Sequence, residues 1–476
     1  MGYLILSLFI LLISVVLIRT LAFRPKAQPQ VSPAEVSFDE AAAVESLAAL
    51  IRCKTISCND SGQEDDAEFD KLTDALPVLY PNVFHACSLQ KFPSRGLLFH
   101  WPGKECGAPS VFMAHYDVVS VQEHLWEKPP FAGIVENGVL WGRGALDTKV
   151  TMNSALFAAN HLIAQGFVPQ NDIYFAFSGN EEINGNGARN IVAYFETQGI
   201  RPALVVDEGG GVVENAFPGV KGPCAMIGIA EKGLMNVQYT VHSKGGHASA
   251  PPAVTPLTTL AKACNRIVKH PFKLQLSKAT AEMFNTLGRH ASFGYRLVYA
   301  NLWLFKPVLD LLGRKNGGDL NAFTRTTVAF TQAQGSQGRN VIPSEATLVS
   351  NMRLNATDTV DSAIAYLKNV VNDPSVEIFV LETFEPSPVS ETGCESWDKV
   401  AGAVSETWRG CIVSPFLMVQ CSDSRHYGKI SKHVYRFSAM DLTTEERRTI
   451  HGNNERIRLD VIKRSVEFYI RLIGKC

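Results

Sequence analysis

Ile173-Tyr-Phe-Ala-Phe-Ser-Gly-Asn-Glu-Glu182 is an apolar run that stops at two adjacent carboxylates. A short aromatic-rich run of this kind reads as a buried strand. Placing Glu181 and Glu182 at its end is costly unless something positive offsets them. A metal ion is the partner this pattern suggests.

Three other segments end in the same way. Val111-Phe-Met-Ala114 runs into His115-Tyr116-Asp117, and Ala203-Leu-Val-Val206 runs into Asp207-Glu208. Gly138-Val-Leu-Trp141 leads through Gly142-Arg-Gly-Ala-Leu146 to Asp147. In open α/β sheets, ligands bind in the crevice beyond the carboxyl ends of the strands. The four segments are therefore predicted to converge on one such edge.

The chain has 476 residues, which is long for a single domain and points to two, or to one enlarged by an insertion. Lys and Arg total 45 against 46 Asp and Glu, a net charge of -1 that leaves no electrostatic footprint for nucleic acid. A small partner fits better. Ten cysteines are too sparse for a disulfide scaffold, and no Cys-x-x-Cys pair suggests a structural zinc site. Cys53 with Cys58, or Cys411 with Cys421, could pair in an oxidising compartment, although buried thiols are the commoner state.

Tyr3 to Ile18 is apolar apart from Ser7 and Ser14, and Arg19, Arg24 and Lys26 follow. Extended to Phe23, it reaches the ~20 residues needed to span a bilayer. It reads as a single-pass signal anchor over residues 1–23 rather than a cleaved signal peptide, because the best small-residue cleavage site, Thr20-Leu-Ala22, directly follows Arg19. The body would then be luminal or extracellular, in the secretory pathway, and secreted if the segment is cleaved. The triplets Asn59-Asp-Ser61 and Asn355-Ala-Thr357 fit such a location.

Residues 24–36, with Pro25, Pro29 and Pro33, read as a linker. From residue 37 to 232, strand-like runs alternate with helical stretches such as Val150 to Gln165 and Ala188 to Thr197, which predicts βα units and a mostly parallel sheet. Met235-Asn-Val-Gln-Tyr-Thr-Val-His242 instead alternates like a half-exposed strand, as does Ala346 to Arg353. Helical spacing covers Pro256 to His270 and Thr359 to Val371. Residues 233–387 are thus expected to form an inserted α+β lid, and residues 388–476 to complete the catalytic domain.

His115 and Asp117 are two apart and share one side of an extended chain, so the carboxylate can orient the imidazole. Asp147 follows two glycines, Gly142 and Gly144, that let the backbone bend around it. Read alone, each of these has a bland alternative, a surface turn or a helix N-cap. Jointly, His and carboxylates without cysteine are the ligand set of a catalytic metal site.

Met113-Ala-His-Tyr-Asp117, Gly142-Arg-Gly-Ala-Leu-Asp147, Asn180-Glu-Glu182, Asp207-Glu-Gly209 and His451-Gly-Asn-Asn-Glu-Arg456 together resemble the co-catalytic zinc metallopeptidases that include aminoacylase, carboxypeptidase G and Gly-Xaa carboxypeptidase. Within them the likeness is greatest to the branch of Gly-Xaa carboxypeptidase and N-fatty-acyl-amino acid hydrolase, and it covers nearly everything after residue 38. The resemblance implies an α/β zinc exopeptidase with an inserted lid and two Zn2+ per subunit. Asp147 would bridge the ions, with His115 and Asp207 completing one site and Glu182 and His451 the other. Relatives differ in which acid of the Asp207-Glu208 pair is used. Asp117 would support His115, and Glu181 would be the general base.

The resemblance extends to three residues of the lid. His247 matches a histidine that in dimeric relatives reaches the partner subunit's site, so it could act across a homodimer or within one chain. Arg353 and Asn340 match positions that hold the substrate's carboxylate end. The implied activity is hydrolysis of an amide bond next to a free carboxylate, in short peptides such as Gly-Xaa or in N-acyl amino acids. A zinc-binding scaffold without catalysis is the competing class. The aromatic-rich stretch from Phe284 to Leu312 could wall an acyl chain, or could simply add core to the lid.

Overall fold

The computed structural model describes residues 1–25 and 34–476; most of the linker at 24–36 lies outside them. Eight strands form the central sheet, in the spatial order 88–92, 96–101, 171–178, 105–115, 204–214, 434–441, 223–231 and 412–418. Its middle is parallel: Glu105–His115 runs beside both Asn171–Ser178 and Leu204–Glu214, and Val434–Asp441 beside Leu204–Glu214. Antiparallel pairings flank this middle.

The helices Glu40–Ile51, Lys149–Ala164 and Leu459–Ile473 pack together on the sheet, the second close to where helical spacing placed it. The buried side chains Phe112, Phe175, Phe177, Leu156, Val206 and Tyr469 fill the core between sheet and helices. Parallel strands buried on both faces are expected to be mostly apolar, and the runs 111–114, 173–177 and 204–206 are.

The lid is a four-stranded antiparallel sheet in the order 327–334, 345–354, 233–242 and 377–384. Helices Pro256–Lys269 and Val360–Val371 cover one face through Leu260, Ile267, Leu367 and Val371. Thr255 and Thr359 close reciprocal capping boxes at the starts of these helices, satisfying backbone donors that would otherwise be orphaned.

Two expectations need correction. The strand Val139–Trp141 lies outside the central sheet, in a three-stranded sheet with Ile134–Glu136 and Arg456–Arg458. Residues 278–324 do not thicken the lid: helix Lys278–His290 packs on the edge strand Ile412–Met418, and Phe284, Leu287 and Tyr299 join Phe217 and Met226 in a separate core. Cys53, Cys58, Cys411 and Cys421 are all free thiols, the commoner of the two states open to them. Of the two glycosylation triplets, Asn355 is fully buried and donates to the Gln275 carbonyl at 2.9 Å.

Candidate active site

The strand Glu105–His115 ends on His115, beside Ser178 in the neighbouring strand. His115 is 2% exposed, and its Nδ1 lies 3.0 Å from the carbonyl oxygen of Asp117 and 3.4 Å from Asp117 Oδ1. That arrangement orients the ring and leaves Nε2 free to face the crevice. Asp117 is fully buried and does more than brace His115. Its Oδ1 accepts the Glu181 N–H at 3.1 Å, and its Oδ2 accepts the Glu182 N–H at 3.1 Å and the Ser57 hydroxyl at 2.7 Å.

Asp147 sits where Gly142-Arg-Gly-Ala-Leu146 turns into helix Lys149–Ala164. Gly144 has φ +86°, a conformation that favours glycine. Glu455 pins this turn from the far end of the chain. Its Oε1 accepts the backbone N–H of Leu146 at 2.7 Å and of Asp147 at 3.3 Å, while Arg143 holds Oε2 at 2.6 Å. The pairing of Arg456 with Trp141 brings Glu455 and the nearby His451 to the turn.

Asp147 faces two histidines with its two oxygens. Oδ1 is 3.0 Å from His115 Nε2, and Oδ2 is 3.1 Å from His451 Nε2. His451 Nε2 is also 3.0 Å from Glu182 Oε2. On the other side, His115 Nε2 is 3.4 Å from Glu208 Oε1, and Glu181 joins the group, with ligand-capable atoms of His115, Glu181 and Glu208 all within 4.8 Å of one another.

Glu208, not Asp207, is therefore the acid brought to His115. Neighbouring residues on a strand point to opposite faces, and Asp207 points away, accepting the Ser424 N–H at 2.9 Å. Strand Leu204–Glu214 then shifts register and crosses to pair with Pro223–Glu231, approaching so closely that a Cβ on Gly210 would meet the Met226 carbonyl.

The electrostatics match an anionic cluster built to surround cations. Burial alone would lower the pKa of His115, but Glu208, Asp117 and Asp147 outweigh it and raise it well above the usual imidazole value. Hydrogen bonding to Asp147 and Glu182 pushes His451 up to about 10. Burial, reinforced by Asp423, pushes Glu181 well above the usual carboxylate range, and burial pushes Glu208 up to about 8. Burial opposes the charge on Asp147, yet the two histidines hold its carboxyl below the ordinary value. Oxygen and imidazole donors that converge on a shared carboxylate, with carboxylates in excess, fit divalent metal.

The three lid residues lie elsewhere. His247 is exposed on the two-residue strand that pairs with Val341–Ile342, where its Nδ1 accepts the Ser249 N–H at 3.1 Å. The Asn340 carbonyl accepts from Ala248 at 2.9 Å, so these two residues are neighbours. Among the described residues neither bonds to the carboxylate cluster. Arg353, on strand Glu345–Leu354, reaches across to Cys421, with Nη1 3.2 Å from Sγ. Cys421 opens the segment that carries Asp423, whose buried Oδ2 accepts the Ser178 hydroxyl and whose Oδ1 has no partner among the described residues.

Residues 111–475 match the model of peptidase family M20/M25/M40. The chain belongs to that family. Two curated relatives agree with it. A probable carboxypeptidase S-like protein of Dictyostelium discoideum is 34% identical over 98% of this chain and 92% of its own length. The N-fatty-acyl-amino acid synthase/hydrolase PM20D1 of Xenopus tropicalis is 33% identical over 90% of this chain and 85% of its own length. The M20 family metallo-carboxypeptidase Sso-CP2 of Sulfolobus solfataricus shares the fold, with a TM-score of 0.67 at 18% identity over 92% of this chain and 99% of that one. The chain is accordingly an enzyme of the metallopeptidase and amidohydrolase type with an M20 fold, as the motifs imply.

Proposed function

We propose that the protein is a two-zinc hydrolase of an amide bond next to a free carboxylate, acting as a carboxypeptidase on short peptides. The observation that carries this reading is Asp147, whose two oxygens separately face His115 at 3.0 Å and His451 at 3.1 Å. His115, Asp147 and Glu208 would hold one ion, and Asp147, Glu182 and His451 the other. The ions, when bound, supply Lewis acidity that polarises the scissile carbonyl and acidifies water.

The remaining chemistry belongs to the chain. Glu181 accepts a proton from the attacking water, whose oxygen adds to the amide carbon. The same carboxyl then delivers the proton to the nitrogen as the C–N bond breaks, leaving an acid and an amine. Asp117 keeps Glu181 and Glu182 at fixed positions through their backbone N–H groups. Arg353 pairs with the substrate's carboxylate, where its planar fork suits bidentate bonding, and Asn340 supports the same end. His247, exposed in one chain, serves a partner subunit's site in a homodimer.

A second substrate class is favoured by a specific finding: the similarity to proteins named N-fatty-acyl-amino acid synthase/hydrolase, from several vertebrates. In that reading the amide joins a long acyl chain to an amino acid, and cleavage runs backwards at high amine and fatty acid concentration. Helix Gly2–Ala22 is long and apolar enough to cross a membrane and would anchor the body on the luminal or extracellular side.

The test is turnover by the purified full chain of a Gly-Xaa dipeptide against a long-chain N-acyl amino acid, with and without zinc. Zinc-dependent cleavage with the dipeptide preferred supports the first reading, and preference for the lipid the second. No cleavage of either would leave the site as a metal-binding scaffold.

A further inference from the structure

The helix Gly2–Ala22 does not stand apart from the body. Asn301, fully buried, donates through Nδ2 to Thr20 Oγ1 at 3.2 Å and to the Val16 carbonyl at 3.3 Å. Arg19 donates to the Ala300 carbonyl through Nε at 3.2 Å and Nη2 at 3.1 Å. Phe23 lies under the Arg289 guanidinium, 4.5 Å from its ring centroid. The exit end of the N-terminal helix is thus bonded to the joint between helices Phe293–Ala300 and Leu302–Asn316.

Those two helices carry large apolar side chains outward. Phe293, Trp303, Leu304, Val308, Leu311 and Leu312 are each more than a third exposed, with Trp303 at 55% and Leu311 at 65%. Single exposed apolar residues are unremarkable, but six on two consecutive helices, with Leu304, Val308 and Leu311 at helical spacing, signal a covered surface. Lys306, Arg314 and Lys315 stand among them on the second helix. Tryptophan and leucine beside lysine and arginine is the composition of a helix that lies in the plane of a membrane interface.

Position decides what covers the face. An arginine is expensive in hydrocarbon, so Arg19 marks the water–lipid boundary of a membrane-spanning Gly2–Ala22. Its partner, Ala300, is the last residue of one exposed helix, and Leu302 begins the next. With Gly2–Ala22 spanning a bilayer, those bonds would hold the apolar face at the depth of the lipid headgroups.

We propose that helices Phe293–Ala300 and Leu302–Asn316 form an in-plane membrane platform, seated in the leaflet on the catalytic side of the bilayer. The inference rests on the reading of Gly2–Ala22 as an anchor. It adds a second attachment that fixes how the body is oriented above the lipid, which one helix alone does not do.

The test uses the full chain in phosphatidylcholine nanodiscs whose acyl chains carry nitroxide quenchers near the headgroup. Trp303 is one of six tryptophans, so the signal lost in Trp303→Phe isolates its emission. That component is expected to be quenched at least twofold by the nitroxide lipid and to be shielded from aqueous iodide. Quenching by iodide alone, while the chain stays with the disc on size exclusion, overturns the platform and leaves the anchor intact. Protection from both quenchers, with two chains per disc, means that a second copy covers the face, and also overturns it. Loss of the chain from the disc overturns the anchor reading and the platform with it.

Discussion

Asp117 Oδ1 accepts the backbone N–H of Glu181 at 3.1 Å, so the position of the proposed base is set by a carboxylate that cannot itself reach water. The same side chain holds Glu182 and lies beside His115, joining three active-site groups on two neighbouring strand ends. Asp117→Asn replaces one acceptor by an NH2 group that would face a backbone donor. An unsatisfied buried donor costs about 1–3 kcal/mol. Turnover or metal affinity is expected to fall by roughly 10–100-fold, the usual effect of losing a partner that orients ligands. Steady-state kinetics and metal content per chain, measured together, check this.

Glu181→Gln is expected to keep its metal and lose about 10²–10⁴-fold in kcat, because the amide cannot take the water's proton. Retained turnover would refute the assignment of the base. The measurement pairs elemental analysis with a hydrolysis assay, since metal loss would mean that Glu181 is a ligand.

Adjacent acids on strand Leu204–Glu214 give a sharper contrast. Glu208→Ala should lose an ion, whereas Asp207→Asn should retain both and lower Tm by weakening acceptance from the Ser424 N–H. Metal content and thermal melts of the two variants separate these outcomes.

That contrast also marks where sequence reasoning stops. His115, Asp117, Glu181 and Glu182 were legible because each follows an apolar run that ends at the central sheet's edge, and Asp147 because two glycines bend the turn before it, although the strand Val139–Trp141 belongs to a separate sheet. The choice between Asp207 and Glu208 was not, since it depends on which face of the strand opens to the crevice. The motif containing His451 pointed to the site only by resemblance; its physical route there is the pairing of Arg456 with Trp141, a contact between distant segments that no local spacing encodes. Glu455 went unassigned for the same reason. The stretch from Phe284 to Leu312 read as apolar, but its neighbours, a sheet-edge core and the N-terminal helix, follow only from the fold.

Burial, together with Arg425, Arg189 and Lys429, depresses His426 from the usual 6.5 to about 3, and the Arg189 Nε–H donates to its Nε2 at 3.4 Å. A depressed folded-state pKa means that the unfolded chain binds the proton first, so stability is present above pH about 6.5 and is lost as pH falls towards about 3. His426→Gln is expected to lose less Tm than the wild type between pH 7 and pH 5. Equal losses in the two proteins would remove His426 as a cause.

The proposed two-zinc centre is tested most directly by anomalous X-ray diffraction from zinc-loaded crystals of the full chain. Two zinc peaks flanking Asp147 are expected, one against His115 and Glu208, the other against Glu182 and His451. A single peak, or a peak coordinated by Asp207 in place of Glu208, would contradict it.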